Sequence, residues 1–153
     1  MSASKDGSVP VIWVIDDGPS NHRLVERSLP GEGYELVGYL DGDEALVELA
    51  AYLDSDNGEA WLPDIVFMDF FLGERNGGEI TVEVRRLFAA AGRRGPWIIG
   101  HSSVMHCSRA IVELGGDVVM AKNPRQARSP DIVEAFPDAA SLAPFAGRAR
   151  GRV

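Results

Sequence analysis

Residues 64–79 read DIVFMDFFLGERNGGE: an apolar run that ends on a single acid, Asp69, and is followed at once by two phenylalanines. A short unbroken apolar run bounded by turn residues suits a strand buried on both faces, as in a parallel sheet. Desolvation opposes a charge at the lip of such a strand, so the carboxylate of Asp69 calls for a chemical reason.

The same alternation extends in both directions. VIWVI (11–15) predicts a first buried strand, and GPSNHRLVERSL a helix opened by Gly18-Pro19-Ser20 with Leu24, Val25 and Leu29 on one face. YELVGYL predicts the second strand, and DGDEALVELAAYL a helix with Asp41 or Asp43 near its N-terminus. A polar loop, SDNGEAWLP, leads into the third strand. GEITVEVRRLFAAAG is the next helix, closed by Gly92. PWIIGHSS and VVMA predict the fourth and fifth strands, with the helix MHCSRAIVELGG between them. SPDIVEAF predicts a last short helix with Ser129 capping and Pro130 at its first position. Leu24, Val25, Leu46, Leu49, Val84, Leu87, Ile111 and Leu114 read as core.

Strands alternating with helices imply right-handed crossovers and a parallel sheet between helical layers. The expected class is α/β: a flavodoxin-like (βα)5 three-layer sandwich with a five-stranded parallel sheet in the order 2-1-3-4-5. The expected organisation is a flexible segment over residues 1–9, one domain over 10–140, and a disordered basic tail over 141–153.

Composition narrows the function classes. The chain has 153 residues, 45% hydrophobic and 25% charged, with a net charge of −8. That charge disfavours broad nucleic-acid binding, which needs clustered Lys and Arg. A lone Cys107 forms no internal disulfide, no run approaches a membrane span, and the start lacks a signal-peptide core; a cytoplasmic domain is expected.

In such a sheet, chemistry collects beyond the carboxyl ends of the strands. The first strand runs into Asp16-Asp17, the third into Asp69, the fourth into Ser102-Ser103 and the fifth into Lys122. Three clustered carboxylates repel, and Mg²⁺ with its preference for carboxylates, waters and a phosphate oxygen relieves them. A lysine suits a phosphate. His101, His106 and Cys107 have poor spacing for zinc and no fourth ligand. His22 reads as a solvated surface residue. Arg93, Arg94, Arg148, Arg150 and Arg152 read as surface charges.

Over residues 11–124 the chain resembles the receiver domain of two-component response regulators, the CheY-like family. The resemblance rests on VIDDGPSNHRLVERSL, on GYELVGYLDGDEALVEL, on PDIVFMDFFLGERNGGE, on IIGHSS and on GGDVVMAKNP. It implies a phosphorelay switch: Asp69 as phosphoacceptor from a histidine kinase or phosphotransfer protein, Asp16, Asp17 and the Phe71 carbonyl around Mg²⁺, and Ser102 and Lys122 on the phosphoryl group. It also implies output by protein–protein contact or phosphoryl relay, with the fourth helix, fifth strand and fifth helix as a face for a homodimer. No direct DNA or membrane binding is expected.

The sequence departs from the family pattern in four places. Leu72-Gly73 replaces Met-Pro, Val119 replaces the switch aromatic, Asn123 separates Lys122 from Pro124 and leaves a cis peptide in question, and the last helix is short. Apolar Phe71 and Val104, at the positions that tune water access, suggest slow dephosphorylation. Two alternatives stand beside this reading: a pseudo-receiver that binds a partner without phosphorylation, and a phosphatase of the haloacid dehalogenase type. The latter lacks its second acid, because position 71 is Phe.

Overall fold

The computed structural model describes residues 9–153, so the segment expected to be flexible, 1–9, lies outside the described residues except for Val9. Strands β1 (Val11–Ile15), β2 (Glu35–Tyr39), β3 (Ile65–Met68), β4 (Trp97–Gly100) and β5 (Val118–Val119) form one parallel sheet, in the expected order β2-β1-β3-β4-β5. Every residue of β1 and β3 is buried, as an unbroken apolar run requires.

Alternate side chains of each strand feed two separate cores. Trp13, Val66, Met68 and Ile98 pack under α2 (Gly42–Leu53), α3 (Gly77–Ala90) and α4 (Met105–Glu113), against Leu49, Ile80, Phe88 and Ile111. Ile12, Val14, Phe67 and Ile99 pack on the other face with Val25 of α1 (Pro19–Ser28), Ile132 of α5 (Ile132–Ala135) and Leu142 of α6 (Ala139–Leu142). Leu114, expected in the core, is instead 47% exposed and lies over Gly78. Among the described residues no helix is long and apolar enough to cross a membrane.

The helix starts follow local chemistry. Asp41 caps α2 by accepting from the Asp43 N–H, and Asn76 and Glu79 form a reciprocal capping box on α3. Asp131, rather than Ser129, caps α5, again in a box with Glu134, so Pro130 lies before the helix instead of at its first position. The polar loop before β3 holds a 3-10 turn over Gly58–Trp61.

The C-terminal residues correct the expectation of disorder. Residues 139–153 turn back beneath the amino-terminal edge of the sheet. Phe145 stacks 5.0 Å from Trp97 and 6.1 Å from Phe136, while Leu142 and Ala149 are fully buried. The anchor is the buried carboxylate of Asp64, which accepts from the N–H groups of Val11 (3.0 Å), Ala149 (2.8 Å) and Gly147 (3.3 Å). Arg93 donates to the Arg150 carbonyl at 2.7 Å, and the Arg94 N–H to that of Gly151. A small, basic composition concealed a segment held by backbone hydrogen bonds, which composition does not encode.

Asp64→Ala leaves three N–H groups without their acceptor. It is expected to cost about 2–4 kcal/mol of unfolding free energy and to raise amide exchange across 139–153 while β2 stays protected. Chemical denaturation and hydrogen-exchange mass spectrometry measure both.

Candidate functional site

Register builds the site. Ile15 pairs with Met68, and Met68 with Gly100, so the chain leaves the sheet level at Asp16, Asp69 and His101. The sheet thereby presents acids from β1 and β3 at one edge, and Lys122, just beyond β5, reaches them from the side. Candidate ligand atoms of Asp16, Asp17 and Asp69 all lie within 4.8 Å of one another. Lys122 Nζ donates to Asp16 Oδ2 at 2.8 Å and to Asp69 Oδ1 at 3.4 Å.

Asp16 and Asp69 are buried, whereas Asp17 faces solvent. Asp16 Oδ1 also accepts from the Gly18 N–H (2.9 Å) and from Asn21 Nδ2 (3.0 Å), so both of its oxygens have donors. Burial pushes the Asp69 carboxyl above the usual carboxylate range; Lys122 pulls it back and the Asp16 charge pushes it further up. One lysine against three carboxylates leaves a charge deficit of two, which a hard divalent cation matches. The donor set of three carboxylate oxygens, one of them on solvent-exposed Asp17, therefore fits Mg²⁺. Above it opens a cavity of about 380 Å³ bordered by Asp17, Asn21, Asp69, Phe71, Ser103 and Lys122.

The loop after Asp69 is fixed by the NGG triplet. The Gly77 N–H donates to the Phe70 carbonyl at 2.8 Å, and a Cβ at position 77 would lie 2.0 Å from the Asp69 carbonyl oxygen. Only glycine lets α3 start this close to the acid's own backbone. Gly73, where the family has Pro, sits at φ +89° and uses the freedom that Pro lacks. Phe70 tucks toward the α2/α3 core and stands 5.4 Å edge-on to Phe71, which is 51% exposed at the mouth.

Ser102 lies just beyond the end of β4. Its side chain is fully buried, its hydroxyl oxygen accepts from the Val104 N–H at 3.3 Å, and it is Ser103 that borders the cavity. Val104 is the N-cap residue of α4. Val119 lies half-buried on β5, with no ring to move.

Other site residues were not anticipated. Gln126 is buried: its Oε1 accepts from the Lys122 N–H (2.6 Å) and its Nε2 donates to the Ser102 carbonyl (2.8 Å), joining the β4 and β5 ends. The extra residue Asn123 was the available signal, since it caps the short 3-10 turn that brings Gln126 round. No peptide among the described residues is cis, Asn123-Pro124 included. His22 is half-buried rather than solvated, with Nε2 2.7 Å from the Asp16 carbonyl oxygen.

His101 is buried edge-on to Phe67, 5.6 Å between ring centres, and its Nε2 has no hydrogen-bond partner among the described residues. Burial, with the Lys122 charge assisting, pushes its pKa down to about 3, so the imidazole is neutral at pH 7. The unfolded chain therefore takes a proton near pH 6.5 that the folded chain refuses down to about pH 3. Stability from this group is lost as pH falls through that window, at about tenfold in the folding equilibrium per pH unit. His101→Phe is expected to flatten the stability profile relative to wild type between those values and leave it parallel above pH 7, as measured by denaturant titration at a series of pH values.

Comparison with solved structures places the fold. The receiver domain of the histidine kinase CKI1 from Arabidopsis thaliana, complexed with Mg²⁺, aligns at TM-score 0.64 and 25% identity, over 81% of this chain and 92% of that one. The phosphorylated cyanobacterial phytochrome response regulator RcpA aligns at 0.60 and 20%, over 78% and 85%. A CheY-like receiver domain protein from Methanospirillum hungatei aligns at 0.57 and 20%, over 79% and 89%. No protein-family model matches the sequence, and no curated protein matches it. The fold is that of a CheY-like response regulator receiver domain.

Proposed function

We propose that this chain is a phosphorelay receiver, phosphorylated on Asp69 by a histidine kinase or phosphotransfer protein. The observation that carries the reading is the contact of Lys122 with both Asp16 and Asp69 beside exposed Asp17. The Mg²⁺-complexed and phosphorylated states named for two of the structural relatives support it.

An oxygen of the Asp69 carboxylate attacks the phosphorus of a phosphohistidine. The O–P bond forms as the P–N bond breaks, and the donor imidazole leaves with the bonding electrons and takes up a proton. Lys122 stays beside the new acyl phosphate and offsets the charge spread over its oxygens. Asp16, Asp17, Asp69 and the Phe71 carbonyl would hold Mg²⁺, which supplies further charge neutralisation when bound. Ser102 would reach the phosphoryl group only after its loop releases the Val104 N–H. That repositioning is the step by which phosphorylation alters the surface around α4 and β5, in a population shift. Output is by protein–protein contact or onward relay in the cytoplasm, and a homodimer would form through the α4, β5 and α5 face.

The hydroxyl of Ser102 turned into its own loop, with Val119 in place of a ring, favours the second reading, a pseudo-receiver that binds a partner unphosphorylated. Incubation with Mg²⁺ and acetyl phosphate separates the two. Intact-mass spectrometry is expected to show one phosphoryl adduct on wild type and none on Asp69→Asn; absence of the adduct on wild type supports the pseudo-receiver. Phe71→Asn, which puts an amide where water meets the acyl phosphate, is expected to speed loss of the adduct several-fold, and an unchanged rate would show that Phe71 does not shield it. Without metal at neutral pH, Asp69→Asn also removes a desolvated charge. It should raise Tm, by about 2–4 °C for each kcal/mol relieved, with the gain fading as acid protonates Asp69 in the wild type.

A further inference from the structure

The backbone of Asp16 is held at both of its polar groups, and the second of them belongs to the peptide that joins it to Asp17. The Asp16 N–H donates to the Tyr39 carbonyl of β2 at 3.1 Å, and the Asp16 carbonyl oxygen lies 2.7 Å from His22 Nε2. A carbonyl only accepts, so Nε2 is the donor in this contact. The Nδ1 edge lies against β2, where a Cβ on Gly38 would come within 2.6 Å of Nδ1 and 3.0 Å of Cε1. Glycine inside a strand weakens it, and here it admits the close approach of a ring. The ring is therefore fixed between a hydrogen bond on one edge and bare backbone on the other.

Asp16 has its own side-chain partners in Gly18, Asn21 and Lys122. Asp17 faces solvent, and among the described residues no hydrogen bond or ion pair holds its carboxylate. What directs that carboxylate into the cavity is the orientation of its backbone, which the peptide before it sets.

We infer that His22 is a positioning residue for the acid pair: seated on Gly38, it fixes the Asp16–Asp17 peptide so that the exposed Asp17 carboxylate is preorganised for a divalent cation. The inference rests on the metal reading proposed above and adds a residue to it. His22 touches neither the cation nor the phosphoryl group. Its effect falls on metal affinity and leaves the phosphoryl-transfer step alone once metal saturates the site.

The test measures Mn²⁺ binding by water-proton relaxation on the whole chain, without any phosphodonor. His22→Leu is expected to weaken binding about tenfold, as loss of an orienting partner behind a metal ligand does, and His22→Gln, whose amide can still donate, to restore most of it. Gly38→Ala displaces the ring without removing it and is expected to weaken binding in the same direction, which keeps the test decisive should His22→Leu fail to fold by circular dichroism. At saturating Mg²⁺ the rate of modification by acetyl phosphate should match wild type in each folded His22 and Gly38 variant. Wild-type binding that Asp17→Asn abolishes, but that the folded His22 and Gly38 variants keep within about twofold where tenfold is expected, overturns the positioning role alone. Wild-type binding that is absent or indifferent to Asp17→Asn overturns the metal reading and this inference with it.

Discussion

The ammonium of Lys122 stands 2.8 Å from Asp16 and 3.4 Å from Asp69, with its side chain only 7% exposed. Two desolvated carboxylates at the edge of an apolar sheet depend on that one cation, because removing it leaves both of them uncompensated. The fold supplies the geometry through parallel pairing, which puts the ends of β1, β3 and β4 level and leaves β5 to deliver the lysine. A third carboxylate, on Asp17, faces water.

The loops around the pair are built to hold backbone rather than to shield charge. Gly77 brings the start of α3 onto the Asp69 carbonyl, Gly38 admits His22 behind Asp16, and Gln126 ties the Lys122 N–H to the Ser102 carbonyl. Each places a residue of the candidate site through its main chain. Gln126 gives the β4 and β5 ends a direct mechanical link in a chain whose β5 carries Val119 instead of an aromatic ring.

The sheet and the acids were legible because their signals are local and periodic. VIWVI and IVFM are buried strands by pattern alone, and an acid at the end of each is visible without coordinates. The misread parts depend on hydrogen bonds between elements, which no local pattern displays. His22 partners a carbonyl six residues away, Gln126 the Ser102 carbonyl across 24 residues, and the C-terminal segment a carboxylate 85 residues back. Helix caps failed more narrowly: Ser129 and Asp131 both fit a cap, and the reciprocal Glu134 that decides between them reads as an ordinary surface acid.

Asp64 and Asp69 sit at opposite ends of β3, and burial pushes both carboxyls above the usual range. Their compensation differs in kind. Asp64 accepts from three backbone N–H groups, two of them on the returning C-terminal segment, and those donors leave only if that segment detaches. Asp69 is compensated chiefly by Lys122 at 3.4 Å, a side-chain partner shared with Asp16, with a cavity in front of it. Backbone donors make a carboxylate structural, because their positions are set by the fold and cannot follow a change in its charge or size. A side-chain ammonium with room beside it is not locked to one position of the carboxylate, which is the arrangement the proposed metal and phosphoryl chemistry would need. The same residue type, at the same depth, on the two ends of one strand thus closes the sheet at one edge and leaves it chemically open at the other.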